Sequence, residues 1–181
     1  MIRYKPLKET IEQTKTPSFK KWFGNSKVVK SGKPLVVYHG ATKNIVKFDK
    51  SYLGKSTDTG MWGSGFYFSS DPKYASSYSR GKGVVMSLYL RIQKPFIIKS
   101  KSDVPEIDVP EDTMEDLMKS DENYSKLFTK FVKSKGHDGV IVQLDSNYTE
   151  YIVFEPNQIK SAIGNNGNFD YRSNNILEGI E

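Results

Sequence analysis

Cysteine is absent from this chain, which removes a disulfide framework, a thiolate nucleophile and any zinc ribbon. Histidine is scarce as well, with only His39 and His137 present. Metal sites built from nitrogen and sulfur ligands draw on several such residues, so no metal is expected. No EF-hand spacing, Walker loop or His-Glu-x-x-His occurs. Long apolar runs are missing too: nothing approaches the ~18 residues of a membrane span, and the N-terminus lacks the apolar core of a signal peptide. The expectation is a soluble, cytoplasmic protein with no membrane partner. Its 181 residues suffice for one self-sufficient core and would cramp two.

Acidic residues are sparse outside one segment. Residues 103–122 hold nine acids against Lys119 alone, while the rest of the chain carries 26 basic and 12 acidic residues, so the net charge of +6 conceals a basic body of +14. Such a body suits phosphate-rich ligands, whether a dinucleotide or a nucleic acid. Solubility through excess lysine explains the same numbers, and the acidic segment reads by default as a solvated helix face.

An apolar run, Pro34 to Gly40, predicts a strand that ends by presenting His39 beside a glycine. Before it, Phe19, Trp22 and Phe23 fall at helical spacing between a Pro17 start and a Gly24 stop, predicting a short helix that docks on the core. Further strands are predicted over Phe66–Phe68, Val84–Ile92, Phe96–Ile98, Val140–Leu144, Glu150–Phe154 and Ile159–Ile163. Asp71-Pro72 opens a helix read to Arg80, and apolar spacing from Asp112 to Ser134 gives one or two more. Strands and helices do not alternate regularly, so the fold class is α+β with a mainly antiparallel sheet core. Residues 1–33 read as a basic N-terminal extension and 34–181 as a single catalytic domain, with the acidic loop and helical segment at about 99–135.

Cleaving an N-glycosidic bond through an oxocarbenium-like state calls for a carboxylate beside the developing charge and an aromatic surface for the leaving base. Glu150 at the head of an apolar strand, Tyr67 and Tyr78 near a glycine-rich turn, and His39 at a strand end are candidates for those roles. Singly each has a bland reading: a solvated Glu, core tyrosines, a structural His. Their order resembles the signature of the His-Tyr-Glu ADP-ribosyltransferases, the class of diphtheria toxin and the poly(ADP-ribose) polymerases. Tyr38-His39-Gly40, Gly63-Ser-Gly-Phe-Tyr-Phe68, Tyr78 and Thr149-Glu-Tyr-Ile-Val-Phe154 supply the match. Phe19 to Gly24, Gly136-His-Asp-Gly139 and Phe154-Glu-Pro-Asn-Gln-Ile-Lys-Ser161 extend it to the branch found in polyvalent phage proteins.

The resemblance implies a cleft between two small sheets that binds NAD, releases nicotinamide and transfers ADP-ribose without a metal. His39 would bind the adenosine ribose and the Gly40 backbone the nicotinamide amide. Tyr67 and Tyr78 would sandwich the ring. Glu150 would hold the nicotinamide ribose and stabilise the oxocarbenium ion. Lysines around 43–55 could steer the pyrophosphate. Position 41 is Ala where the family usually has Ser or Thr, leaving Thr42 as substitute; position 75 is Ala where polymerases place a serine, leaving Ser76 or the backbone. Tyr148, two before Glu150, replaces the acid or amide of arginine-modifying toxins. Glu150, His39 and Tyr78 are thus the expected catalytic set, and His39, Gly40, Thr42, Tyr67, Ser76 and Tyr78 the expected NAD contacts. The expected activity is mono-ADP-ribosylation by a phage or prophage toxin or effector in a bacterial host. The acceptor would be nucleic acid or protein, and an antitoxin or inhibitor protein would be a further partner. Two other classes remain open: a metal-independent ribonuclease using His39 and Glu150, and a non-catalytic module that binds NAD or nucleic acid. His137-Asp138 reads as a turn rather than a catalytic pair.

Overall fold

Two residues at positive φ, Ser31 (50°) and Gly32 (74°), turn the chain between β1 (Val29–Lys30) and β2 (Lys33–Pro34). Two-residue type I′ turns require this at both central positions. The hairpin crosses the boundary expected between extension and catalytic domain. The computed structural model describes residues 13–53, 60–79, 81–109, 120–165, 167 and 169–177. Most of the basic extension's start, Lys55, Arg80 and residues 110–119 of the acidic segment lie outside these.

The main sheet has seven strands in the order β6-β7-β8-β4-β3-β5-β9. They are β3 (Val37–Ala41), β4 (Phe66–Ser69), β5 (Val84–Leu90), β6 (Pro95–Ile98), β7 (Gly139–Val142), β8 (Glu150–Val153) and β9 (Ile159–Ser161). Among the described residues only β6 and β7 run parallel. At the centre, β3 and β4 share a single register pair, Tyr38 opposite Ser69, whereas β3 and β5 share five and β4 and β8 four. The sheet is therefore two antiparallel-rich halves joined at one point, the split α+β core expected of an ADP-ribosyltransferase-like fold.

Residues directly opposite in a ladder share a face, and faces alternate along a strand. Tyr38, Ser69, Glu150 and Val142 form one such row. On this first face the helix Ser120–Ser134 sets Phe128 and Val132 over Ile98, Val140, Val142 and Ile152. At the other end the helix Pro17–Phe23 buries Phe19, Trp22 and Phe23 against Tyr89 and Phe169, at ~1.5–3 kcal/mol for each fully buried large apolar side chain. Thr16 caps that helix by accepting the Phe19 N–H at 3.1 Å, and Gly24, at φ 53°, ends it. The second face carries Phe66, Phe68, Leu88, Tyr151 and Val153, covered by Ile45, Phe48 and Ile176.

Between the two helices of the first face sits a third, Pro72–Ser77, capped by the Asp71 carboxylate at 2.8 Å from the Lys73 N–H. It presses so closely on β3 that a Cβ added at Gly40 would lie 1.9 Å from the Ala75 carbonyl oxygen. The residue beside His39 must therefore be glycine for packing reasons alone. Beyond β8, Gln158 is buried and fully used: its Oε1 accepts the N–H groups of Phe154 (3.1 Å) and Glu155 (2.9 Å), and its Nε2 donates to the carbonyls of Arg91 and Asp138, both at 2.8 Å. One side chain thereby ties the ends of β5, β7 and β8 together.

Candidate active site

Glu150 begins β8 on the first face, and its two carboxylate oxygens are held by different groups. The Trp62 indole N–H donates to Oε2 at 3.3 Å, and the Tyr74 hydroxyl donates to Oε1 at 3.2 Å. Tyr74 in turn lies 3.2 Å from the Tyr78 hydroxyl, meets that ring edge to face at 5.7 Å, and stacks on Tyr148 at 3.9 Å with 18° between planes. Burial, then hydrogen bonding to Tyr78 and Tyr148, then the Glu150 charge push the Tyr74 phenol above the ordinary tyrosine range. It remains a proton donor to the carboxylate. Tyr78 is 41% exposed, so the tyrosine cluster runs from the carboxylate to the surface.

Trp62 owes its position to Tyr67. The Tyr67 hydroxyl accepts the Trp62 backbone N–H at 3.0 Å and donates to the Gly63 carbonyl at 2.7 Å, clamping the turn that starts at Gly60. Gly60 and Gly63 sit at φ 82° and 102°, a region L side chains avoid.

The opening between the half-sheets follows from hydrogen-bond parity. Ser70 N–H bonds the Thr149 carbonyl, so even-numbered β4 residues pair with β8, and Ser69 and Tyr67 turn their main-chain groups toward β3. Ala162 N–H bonds the Ser87 carbonyl, which by the same alternation directs Tyr38 and Gly40 toward β4. Tyr38 pairs with Ser69, but the next rung, Gly40 with Tyr67, is not in the register. The His39 imidazole is there instead, with Nδ1 2.7 Å from the Tyr67 carbonyl oxygen. A carbonyl only accepts, so Nδ1 carries the proton and Nε2 is the acceptor nitrogen of the neutral ring. Burial lowers the His39 pKa and outweighs the opposing hydrogen bond to Tyr67. His39 belongs to the second face, its ring packed on Phe48 (5.2 Å) and Phe68 (5.3 Å).

A family model described as ADP-ribosyltransferase in polyvalent proteins matches residues 30–169. The chain belongs to this ADP-ribosyltransferase family. No curated protein matches it. Among solved structures it is similar to one described as the crystal structure of an anti-CRISPR protein, at 11% identity and a TM-score of 0.37, over 71% of this chain and 93% of that one.

Within this ADP-ribosyltransferase domain the residues singled out from sequence have unequal surroundings. Glu150 and Tyr78 are brought together through Tyr74, while Tyr67 joins the same cluster through Trp62. Gly40 lines the opening. Thr42 is exposed, one residue past the end of β3. Ser76 is exposed as well, and its hydroxyl donates to the Lys73 carbonyl of its own helix at 2.7 Å. Ala75 is buried against β3. The Asp138 carboxylate accepts the N–H groups of Gln93 (2.9 Å) and Lys94 (2.7 Å), and the His137 ring packs on Phe96, so this pair builds a turn.

Trp62 and Tyr74 were not anticipated as partners of the carboxylate, nor Tyr148 as the ring stacked on Tyr74. Their signals were faint: a tryptophan between glycines, a tyrosine four before Tyr78, and a tyrosine two before Glu150. Among the described residues no group of three or more His, Cys, Asp or Glu is arranged to hold a metal ion, and no helix is long and apolar enough to cross a membrane.

Proposed function

We propose that this chain transfers ADP-ribose from NAD to a macromolecular acceptor, one unit at a time, with release of nicotinamide. The observation that supports this most is the carboxylate of Glu150, oriented by Trp62 and Tyr74 beside an opened strand ladder. A fixed carboxylate stabilises positive charge on the ribose as the glycosidic bond lengthens, and it needs no reorganisation at that moment. The main-chain N–H and C=O of Gly40, directed at the opening, suit a carboxamide, which offers one acceptor and one donor in the same plane. Tyr67 and Tyr78 provide aromatic surface for the nicotinamide ring. The Nε2 atom of His39 is the acceptor for a ribose hydroxyl.

We further assign the catalytic domain to 34–181, with 1–33 as a basic extension, and infer a phage or prophage toxin or effector acting in a bacterial cytoplasm; these rest on the motif resemblance. Nicotinamide release from NAD, measured for the wild type and Glu150→Gln, tests the proposal. A rate equal in the two proteins, or absent in the wild type, overturns it.

A further inference from the structure

Beyond the tail of β8 the surface opens into a cleft that the transfer reading does not use. Its volume is about 260 Å³, and Arg91, Lys133, His137, Asp138 and Glu155 help to line it. Glu155 follows Glu150 by five residues of extended chain, roughly 16 Å at the usual strand rise, so the cleft lies apart from the candidate active site. Both of its acids are already engaged. The Asp138 carboxylate accepts the N–H groups of Gln93 and Lys94, and Glu155 is paired with Lys50 and with Lys133, the latter at 3.0 Å. Arg91 has no such partner. Its Nη2 donates to the neutral Gln93 Oε1 at 3.0 Å, its Nε is buried and meets no acceptor, and among the described residues it forms no ion pair. A half-buried guanidinium without an anion is under-compensated, and the planar fork of its N–H groups matches the oxygens of a phosphate. Around the cleft further charge of the same sign collects. The Trp22 indole donates to the carbonyl of Asn157, another lining residue, at 3.0 Å, which brings the last turn of the helix Pro17–Phe23 with exposed Lys20 and Lys21 to its edge. The carbonyl of exposed Lys94 lies 3.2 Å from Nδ1 of His137, and exposed Lys135 is two residues before that histidine.

We propose that this cleft is a phosphate-binding site for the backbone of a nucleic acid, with Arg91 on one phosphate and Lys20, Lys21, Lys94 and Lys135 along the phosphates on either side. A nucleic acid strand carries a charge on every unit, about 3.4 Å apart in a helix, so it uses both the cleft and its basic rim, whereas a small free anion would use the cleft alone. A pI of about 9.2 with basic residues gathered on one side is the electrostatic footprint of such a ligand. Contacts of this kind hold and orient a strand without reading its bases. They require no NAD and no chemistry at Glu150, so the site stands or falls independently of the transfer reading.

The experiment measures binding of the full chain, without NAD, to fluorescently labelled single-stranded DNA and RNA of about twenty nucleotides by anisotropy, with an oligoglutamate peptide of like charge as a separate arm. The wild type should bind the oligonucleotides, and its Kd should rise at least about tenfold from about 50 to about 200 mM salt, as three or more phosphate contacts require. Arg91→Gln and, separately, the pair Lys94→Gln with Lys135→Gln should each weaken binding at least about fivefold and flatten the salt dependence. The two lysines are exposed, so that pair tests the site even where Arg91→Gln fails to fold. As a control of equal charge, Lys99→Gln with Lys101→Gln removes two exposed lysines at the far end of β6 and should leave Kd within about twofold of the wild type. Equal weakening by the two lysine pairs overturns the proposal, because binding would then follow net charge rather than the cleft. No binding to either oligonucleotide overturns it too, as does oligoglutamate binding as tight as that of the nucleic acids.

Discussion

The two ends of β8 hold polar side chains in opposite ways. At its tail, Gln158 spends all four of its hydrogen-bonding positions on main-chain groups of Phe154, Glu155, Arg91 and Asp138, and it is buried. At its head, Glu150 is oriented by side-chain donors rather than main-chain groups, the Trp62 indole on Oε2 and the Tyr74 hydroxyl on Oε1. One residue is a rivet and the other a tool held in a grip. The amide fastens strand ends through main-chain groups, whereas the carboxylate is aimed by side chains toward the role proposed for it.

If this contrast holds, substitutions at the two ends should separate stability from turnover. Gln158→Leu strands two N–H and two C=O groups inside the protein and should cost about 4 kcal/mol, from roughly 1–3 kcal/mol per unsatisfied group with partial relaxation. Urea denaturation measures this, and a loss below about 1 kcal/mol would show that water or neighbours replace the amide. Glu150→Gln should do the reverse, lowering nicotinamide release roughly 10²–10³-fold with little change in the urea midpoint. Tyr74→Phe keeps the stack on Tyr148 and removes only the donor to Oε1, so kcat should fall about tenfold with KM for NAD nearly constant. A change confined to KM would mean that Tyr74 binds substrate rather than orienting the carboxylate.

The smallest effect concerns His39, which touches neither end. Burial holds its pKa below the ordinary 6.5, so as pH falls through that value the unfolded chain takes up the proton first. The stability from neutral His39 is complete above about pH 6.5 and is lost below it, at under about 1.4 kcal/mol per pH unit. His39→Gln should flatten that part of the stability-against-pH curve. Parallel curves for the two proteins would show that the imidazole is not kept neutral by the fold.

Much of this arrangement was legible in the sequence because it depends on local pattern. The Asp71-Pro72 helix start, the Gly24 stop and the β4, β6 and β8 strands lie within about two residues of expectation. The β1–β2 hairpin was not foreseen: its strands are two residues long, too short for alternation to register, and only Ser31-Gly32 marks the turn. The predicted Val140–Leu144 strand ends at Val142, because Gln143 bonds back to Ile98 at the edge of the ladder and the chain then leaves the sheet. The relation between His39 and Glu150 was hidden for a deeper reason. Which face each occupies depends on the registers of β3, β4 and β8 combined, and a one-residue slip in any of them reverses the answer. The grip of Trp62 and Tyr74 on the carboxylate is likewise a product of tertiary closure, since 88 and 76 residues separate them from Glu150.

The missing rung between Gly40 and Tyr67 gives the protein an edge in the middle of its own sheet. Edges normally invite foreign strands, and natural proteins blunt them. Here an imidazole stoppers one acceptor, the Tyr67 carbonyl. A carboxamide seated there would act as a surrogate residue and splice the two half-sheets, so the ligand would be part of the framework for as long as it stayed. Backbone amides of β3 and β4 should then exchange with deuterium more slowly under saturating nicotinamide, and recover their faster exchange when it is washed away.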